Sequence, residues 1–133
     1  MCFGTFDLLH LGHLNYFEQA KKYGDYLLVV IARDRTKEKQ KKSIIFNEQQ
    51  RLKLVQSLRI VDDAILGDQN DHFKIICEKR PNVICLGYDH QISEEKLKSE
   101  LQSRNLYPTI VRAKPFKSES QKSSFLRKLI EGR

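Results

Sequence analysis

Cysteine is scarce and poorly placed for stapling a fold. Cys2, Cys77 and Cys85 are odd in number and show no C-x-x-C spacing, so neither a disulfide framework nor a zinc ribbon is suggested. Long apolar runs are missing as well. The longest, Tyr26 to Ala32, is strand-sized, far below the roughly 18 residues of a membrane-spanning helix, so no membrane partner is expected. No basic n-region followed by an apolar h-region opens the chain, and a cytoplasmic setting is the expectation. Neither G-x-x-x-x-G-K-[ST] nor G-x-G-x-x-G occurs, which argues against a P-loop kinase and a dinucleotide-dependent dehydrogenase. Repeats, low-complexity tracts and linkers are also lacking. The 133 residues therefore suit one domain spanning 1–133, since domains commonly run to roughly 100–150 residues.

Positive charge is what the chain has in excess. Lysine and arginine number 24 against 17 for aspartate and glutamate, a net charge of +7. That balance favours an anionic partner, either nucleic acid or a phosphorylated small molecule. The excess gathers at Lys37 to Lys42 and at Lys114 to Lys128. By itself such a stretch reads as a solvated loop.

The apolar pattern alternates between two kinds of segment. Strand-like runs are MCFGT at the start, YLLVVIA, DAILG, NVICLG and TIVRA. Between them lie helical patterns over Leu11–Tyr23, Asn47–Arg59, Asp71–Lys79, Ser93–Asn105 and Gln121–Ile130. Leu14, Phe17 and Ala20 keep a spacing of three in the first, as Leu52, Val55 and Leu58 do in the second. Asn47 with Gln50 forms an N-terminal capping pattern. Alternating strands and helices predict βαβ units with right-handed crossovers. The fold class expected is α/β, a single Rossmann-like, doubly wound parallel five-stranded sheet with helices on both faces. The first strand is unusually short, and the near-continuous apolar strand at Tyr26–Ala32 reads as covered on both faces.

Ligands of such sheets bind beyond the carboxyl ends of the strands, where the strand order switches. Three polar segments leave strand ends: GTFDLLHLGH, ARDRTKEKQKK and LGYDH. In the first, Gly4 and Thr5 let backbone N–H groups approach an anion, and His13 falls near a helix start, where negative charge is favoured. His10 precedes it by three residues with Gly12 between them. Zinc binding, quiet packing and phosphate contact are the three readings of this pair. Zinc lacks a third ligand close by, because His72 and His90 are far along the chain and Cys77 lies inside a helical pattern. Phosphate fits the position best.

GTFDLLHLGH resembles the signature of the HxGH nucleotidyltransferases. The resemblance continues through GDYLLVVIARD, RLKLVQSLRIVDDAILG, ICLGYDH and KSSFLRKLI, so it covers nearly the whole chain. LGYD and KSS are most similar to the archaeal-type FAD synthetase branch, whereas the cytidylyltransferase branch carries an acidic-tryptophan pair after that glycine. The resemblance implies attack by a phosphate oxygen of an acceptor on the α-phosphate of a nucleoside triphosphate, with loss of pyrophosphate. A phosphate monoester is already anionic, so the chemistry needs alignment and charge stabilisation more than a general base. The best substrate pair is FMN with ATP. CTP with glycerol 3-phosphate, or a similar small phosphate, is the alternative.

The resemblance further implies residue roles. His10 and His13 would bond triphosphate oxygens, Gly4, Thr5 and Phe6 would hold the α-phosphate, and Gly12 would admit it. Lys42 aligns with a catalytic lysine, while its companion position falls on Gln40, flanked by Lys39 and Lys41. Arg51 and Arg59 match family arginines, and Gly87, Tyr88 and Asp89 would line the base or ribose. Ser123 and Ser124 would meet the β- or γ-phosphate, where Lys117 and Lys122 stand in for an arginine the family often carries there. Magnesium is the implied cofactor, with Asp7 as its candidate carboxylate. A homodimer is implied too. Phe46, Tyr88, Tyr107 and Phe116 are candidates for an apolar slot around the FMN ring. A non-catalytic, basic nucleic-acid-binding domain is the rival from another class, and it would not require the histidine pair; no nucleic-acid partner is therefore expected.

Overall fold

The computed structural model describes residues 1–40 and 43–116. Along the chain run β1 (Cys2–Gly4), α1 (Leu11–Lys21), β2 (Leu28–Ile31), α2 (Asp34–Lys39), α3 (Glu48–Gln56), β3 (Asp63–Leu66), α4 (Lys74–Lys79), β4 (Val83–Leu86), α5 (Glu94–Gln102) and β5 (Thr109–Arg112). All strand pairings are parallel, in the order β3-β2-β1-β4-β5. The chain lays β2 and β3 to one side of β1, then crosses back to set β4 on the other. The switch in strand order thus falls between β1 and β4, where a doubly wound sheet opens a crevice at its carboxyl edge.

Strand side chains alternate between two apolar layers. Cys2, Val29, Ile31, Ala64 and Cys85 pack with Tyr16, Phe17 and Ala20 of α1 and Val55 of α3. Val30, Ile84 and Leu86 pack with Ile76 of α4 and Leu97 and Leu101 of α5. Helices therefore cover both faces, as the alternating pattern predicts. Phe17, Val55, Ile84 and Leu101 are wholly excluded from solvent, and each such side chain contributes about 1.5–3 kcal/mol of transfer free energy.

The caps follow local chemistry. Asn47 and Gln50 form the expected reciprocal capping box on α3, and the Ser93 hydroxyl accepts from Lys96 N at the start of α5. Several elements differ from the sequence expectation, α1, α5 and β2 only in being shorter than expected. α2 was expected as loop; it buries no residue, so it carries no apolar period, and Asp34 at its start with Lys37 and Lys39 at its end suit the helix dipole instead. α4 begins at Lys74 because the Asp68 carboxylate accepts from Asn70 and Asp71 N, and Asp71 from Phe73 N, turning the chain first. α3 stops at Gln56, with Ser57 as its C-cap. The helix expected over Gln121–Ile130 lies outside the described residues. Among those described, no helix is long and apolar enough to cross a membrane.

Candidate active site at the switch point

The loop after β1 turns sharply at Phe6, whose φ of 55° lies in the left-handed region. For a bulky residue this backbone costs about 1–2 kcal/mol, offset here by burial of the ring, which is 4% exposed. The ring folds back over Gly4, where a Cβ would stand 2.5 Å from Phe6 Cζ. It also packs on Phe17 at 5.1 Å and meets His13 edge-on at 5.3 Å. Glycine at position 4 is therefore a requirement of the turn. Among the described residues, neither Thr5 N nor Phe6 N donates to a protein acceptor, so both amides are available to an anion.

His10 is the N-cap of α1, and His13 is the third residue of that helix. Gly12 N donates to His10 Nδ1 at 3.0 Å, and His10 N faces His13 Nδ1 at 3.4 Å, closing a capping box made of imidazoles. The rings stack 4.0 Å apart. Burial lowers the pKa of His10; burial, then the charge of His10, lowers that of His13 to about 3. Both rings are therefore neutral near pH 7. A neutral imidazole whose Nδ1 accepts carries its proton on Nε2. The pair thus offers Nε2–H donors at a helix N-terminus, without net charge. Gly12 is fixed by the same geometry, since a Cβ there would lie 2.7 Å from His10 Cε1.

The opposite wall follows β4. Gly87 N donates to His90 Nδ1 at 3.0 Å and His90 N to Gly87 O at 3.1 Å, a tight loop that leaves Tyr88 and Asp89 exposed. Gly87 is buried beneath the His90 ring, 3.1 Å from where a Cβ would sit. The loop is clasped from below by Arg112 at the end of β5. Its guanidinium donates to Gly87 O at 3.0 Å, His90 O at 2.9 Å and Ile92 O at 2.7 Å, and pairs with Glu94. The His90 pKa is lowered, foremost by burial, with Asp89 opposing and the Arg112 and Lys37 charges adding to the fall. Sequence reasoning weighed His90 only as a distant zinc candidate and missed Arg112 altogether, because a lone arginine in an apolar strand carries no pattern; its place at a strand's carboxyl end was the only signal.

Two expected ligands take other roles. Asp7 is 4% exposed, and its two oxygens accept from Ile45 N at 2.7 Å and Phe46 N at 2.8 Å. It pins the loop before α3 and does not face outward as a metal ligand. Arg51 is wholly buried. It donates Nε–H to Phe46 O at 3.0 Å, Nη1 to Thr5 O at 2.9 Å and Ala32 O at 2.8 Å, and Nη2 to Asp34 at 2.7 Å. The guanidinium is thus spent on the protein, joining the loop after β1 to the start of α2, and it is a scaffold residue where a nucleotide contact was expected. Asp34 and Glu48 complete the joint by each accepting the other's backbone N–H.

Arg59 also departs from expectation. It sits exposed in the turn after α3, just ahead of β3, at the amino edge of the sheet, because α3 ends before it. Tyr107, 74% exposed and ahead of β5, lies at that same far edge and lines no crevice. Phe116, in contrast, passes beside Gly12, its Cβ 3.8 Å from where a Cβ on that glycine would stand. Lys42, Ser123 and Ser124 lie outside the described residues, as do Lys41, Lys117 and Lys122. Among the described residues, no three His, Cys, Asp or Glu side chains gather to hold a metal ion.

This arrangement has counterparts. Residues 1–128 match the model of the cytidylyltransferase-like family. The FAD synthase of Picrophilus torridus is 42% identical over 130 residues, covering 98% of this chain and 94% of that protein. The FAD synthase of Thermoplasma acidophilum is 45% identical over 130 residues, 98% of this chain and 92% of its own. That of Methanohalophilus mahii is 49% identical over 109 residues, 82% and 76% respectively. Among solved structures, one described as a lipopolysaccharide core biosynthesis protein from Thermoplasma volcanium superimposes with a TM-score of 0.86 at 43% identity, over 88% of this chain and 96% of that one. A parallel sheet of this order, an imidazole-capped helix at its switch point and a family match running almost end to end agree: the chain belongs to the cytidylyltransferase-like family and is a nucleotidyltransferase.

Proposed function

We propose that the protein transfers AMP from ATP to FMN, forming FAD and pyrophosphate. In this reaction a phosphate oxygen of FMN forms a bond to the α-phosphorus of ATP. The bond from that phosphorus to the β-bridging oxygen breaks, and pyrophosphate leaves with the electron pair. The observation that carries the reading is the stacked, neutral His10–His13 pair, whose Nε2–H groups stand at a helix N-terminus beside the switch-point crevice. Donors fixed in advance on the transferring and leaving phosphates stabilise charge as it develops, without reorganising. The Thr5 and Phe6 amides supply further donors, with Gly4 and Gly12 holding their geometry. Gly87, Tyr88 and Asp89 face the base and ribose, Asp89 by accepting from hydroxyl or amine groups. FMN rather than a smaller acceptor is supported by the FAD synthases 42–49% identical over most of the chain, with Phe46, Tyr88 and Phe116 left to meet the flavin ring.

Magnesium enters this reading with the triphosphate. The described residues form no protein cage for it, and a cation of this kind is commonly held by phosphates and water. A cytoplasmic homodimer is the expected form, checked by sedimentation. The reaction itself is tested by pyrophosphate release with ATP or CTP, crossed against FMN and glycerol 3-phosphate. FAD formed with ATP is the expected product. Turnover only with CTP and glycerol 3-phosphate overturns the substrate assignment, and no turnover with any pair overturns the reading.

A further inference from the structure

β1 and β4 part at one defined point, at the switch in strand order. β1 keeps three register pairs with β2, from Cys2–Val29 to Gly4–Ile31, but a single pair with β4, Cys2–Cys85. Beside that last pair sits the hydroxyl of Tyr16. It accepts from Phe3 N of β1 at 3.3 Å and donates to the Cys85 carbonyl of β4. Burial, foremost, raises its pKa well above the usual phenol range, so it remains a donor at any working pH. The ring stacks near Phe6 at 6.4 Å and meets His90 edge-on at 6.2 Å. Phe6 in turn touches His13. One side chain of α1 thus underlies both the loop after β1 and the loop after β4.

We propose that Tyr16 is a positioning residue: its hydroxyl bridge from Phe3 to Cys85 sets the width of the crevice, and so the separation of the two loops that grip opposite ends of one nucleoside triphosphate. The proposal rests on the nucleotidyltransferase reading above. A nucleotide reaching from the imidazole pair to Gly87–Asp89 gains affinity because its two ends are tied together at a matched distance. Removing the hydroxyl keeps every ring contact but leaves the Cys85 carbonyl without this donor in a buried seam, so the strands resettle at another spacing. Each loop retains its own internal bonds, Gly12 to His10 on one side and Gly87 to His90 on the other. The halves then bind as before, and only the whole molecule suffers.

The test compares ATP, tripolyphosphate and adenosine binding to the full chain and to Tyr16→Phe by calorimetry or competition. ATP affinity is expected to fall at least tenfold, while tripolyphosphate and adenosine stay within twofold of the unsubstituted protein. General loosening of the fold would weaken all three in proportion, which overturns the proposal, as does ATP binding within twofold of the unsubstituted protein. If Tyr16→Phe fails to fold, 4-fluorophenylalanine at this position refills the space without donating to Cys85, and the same three ligands decide. Absence of nucleoside triphosphate binding by the unsubstituted protein refutes the function and the positioning role together; unchanged ATP binding in the variant refutes the positioning role alone.

Discussion

Acidification should loosen this fold at the very residue that marks its site. The folded state holds His13 neutral down to a pKa of about 3, whereas in an unfolded chain histidine titrates near pH 6.5. Below pH 6.5 the unfolded state binds the additional proton, so stability is intact above that value and declines as the pH falls. Each unit of pH is worth about 1.4 kcal/mol per proton, so moving from pH 7 to pH 5 removes roughly 2 kcal/mol through His13 alone. That is a sizeable share of a typical 5–15 kcal/mol stability. His10 and His90, also lowered by burial, act in the same direction. The exposed carboxylates Asp62, Asp68 and Glu94, held low by the Lys21 partner, by backbone amides and by Arg112 respectively, lose their contribution only below the usual carboxylate range. The pH 5 measurement is therefore clear of them. Urea unfolding at pH 7 and pH 5, for the natural chain and for His13→Gln, isolates the effect, because glutamine at this helix position can still accept from His10 N. The natural chain should lose about 2 kcal/mol more than the variant. Equal losses would refute a buried neutral imidazole at position 13.

Three further outcomes follow from the geometry. Arg51→Met should destabilise the fold by about 3–5 kcal/mol, as removal of a buried charge partner does, read as a fall in the urea midpoint, and lysine should not restore it because one ammonium cannot span Phe46, Thr5, Ala32 and Asp34. Gly12→Ala should leave the urea midpoint within about 1 kcal/mol yet cut pyrophosphate release about 100-fold or more, since the new methyl displaces the His10 ring; normal turnover would refute the role of that ring. Arg112→Gln should raise the KM for the nucleotide more than it lowers kcat, by freeing the carbonyls of Gly87, His90 and Ile92, and a change in kcat alone would count against a base-side clasp.

Legibility varied with whether function was written in pattern or in burial. The two apolar layers were readable because Val29, Val30 and Ile31 alternate faces along a strand, and β1 was readable because a short apolar run ended in glycine before a helix. The His10–His13 pair was readable from its place between the two. α2 was not, because six polar residues with no buried member leave no period to detect. Arg51 was expected to be a ligand from the family resemblance, and sequence cannot distinguish an arginine aimed at solvent from one aimed at carbonyls. Asp7 misled for the same reason. Arg59 entered through the family resemblance, with the helix expected to run to it; α3 instead ends at Gln56 with Ser57 as its C-cap.

The two arginine clasps divide the molecule by task. Arg51 fastens the loop after β1 to the start of α2 and the approach to α3, all on one side of the crevice. Arg112 fastens the loop after β4 to the approach of α5, on the other. Neither reaches across. A substitution that unsettles one clasp therefore leaves the hydrogen bonds of the other in place, since Arg51 and Arg112 share no partner.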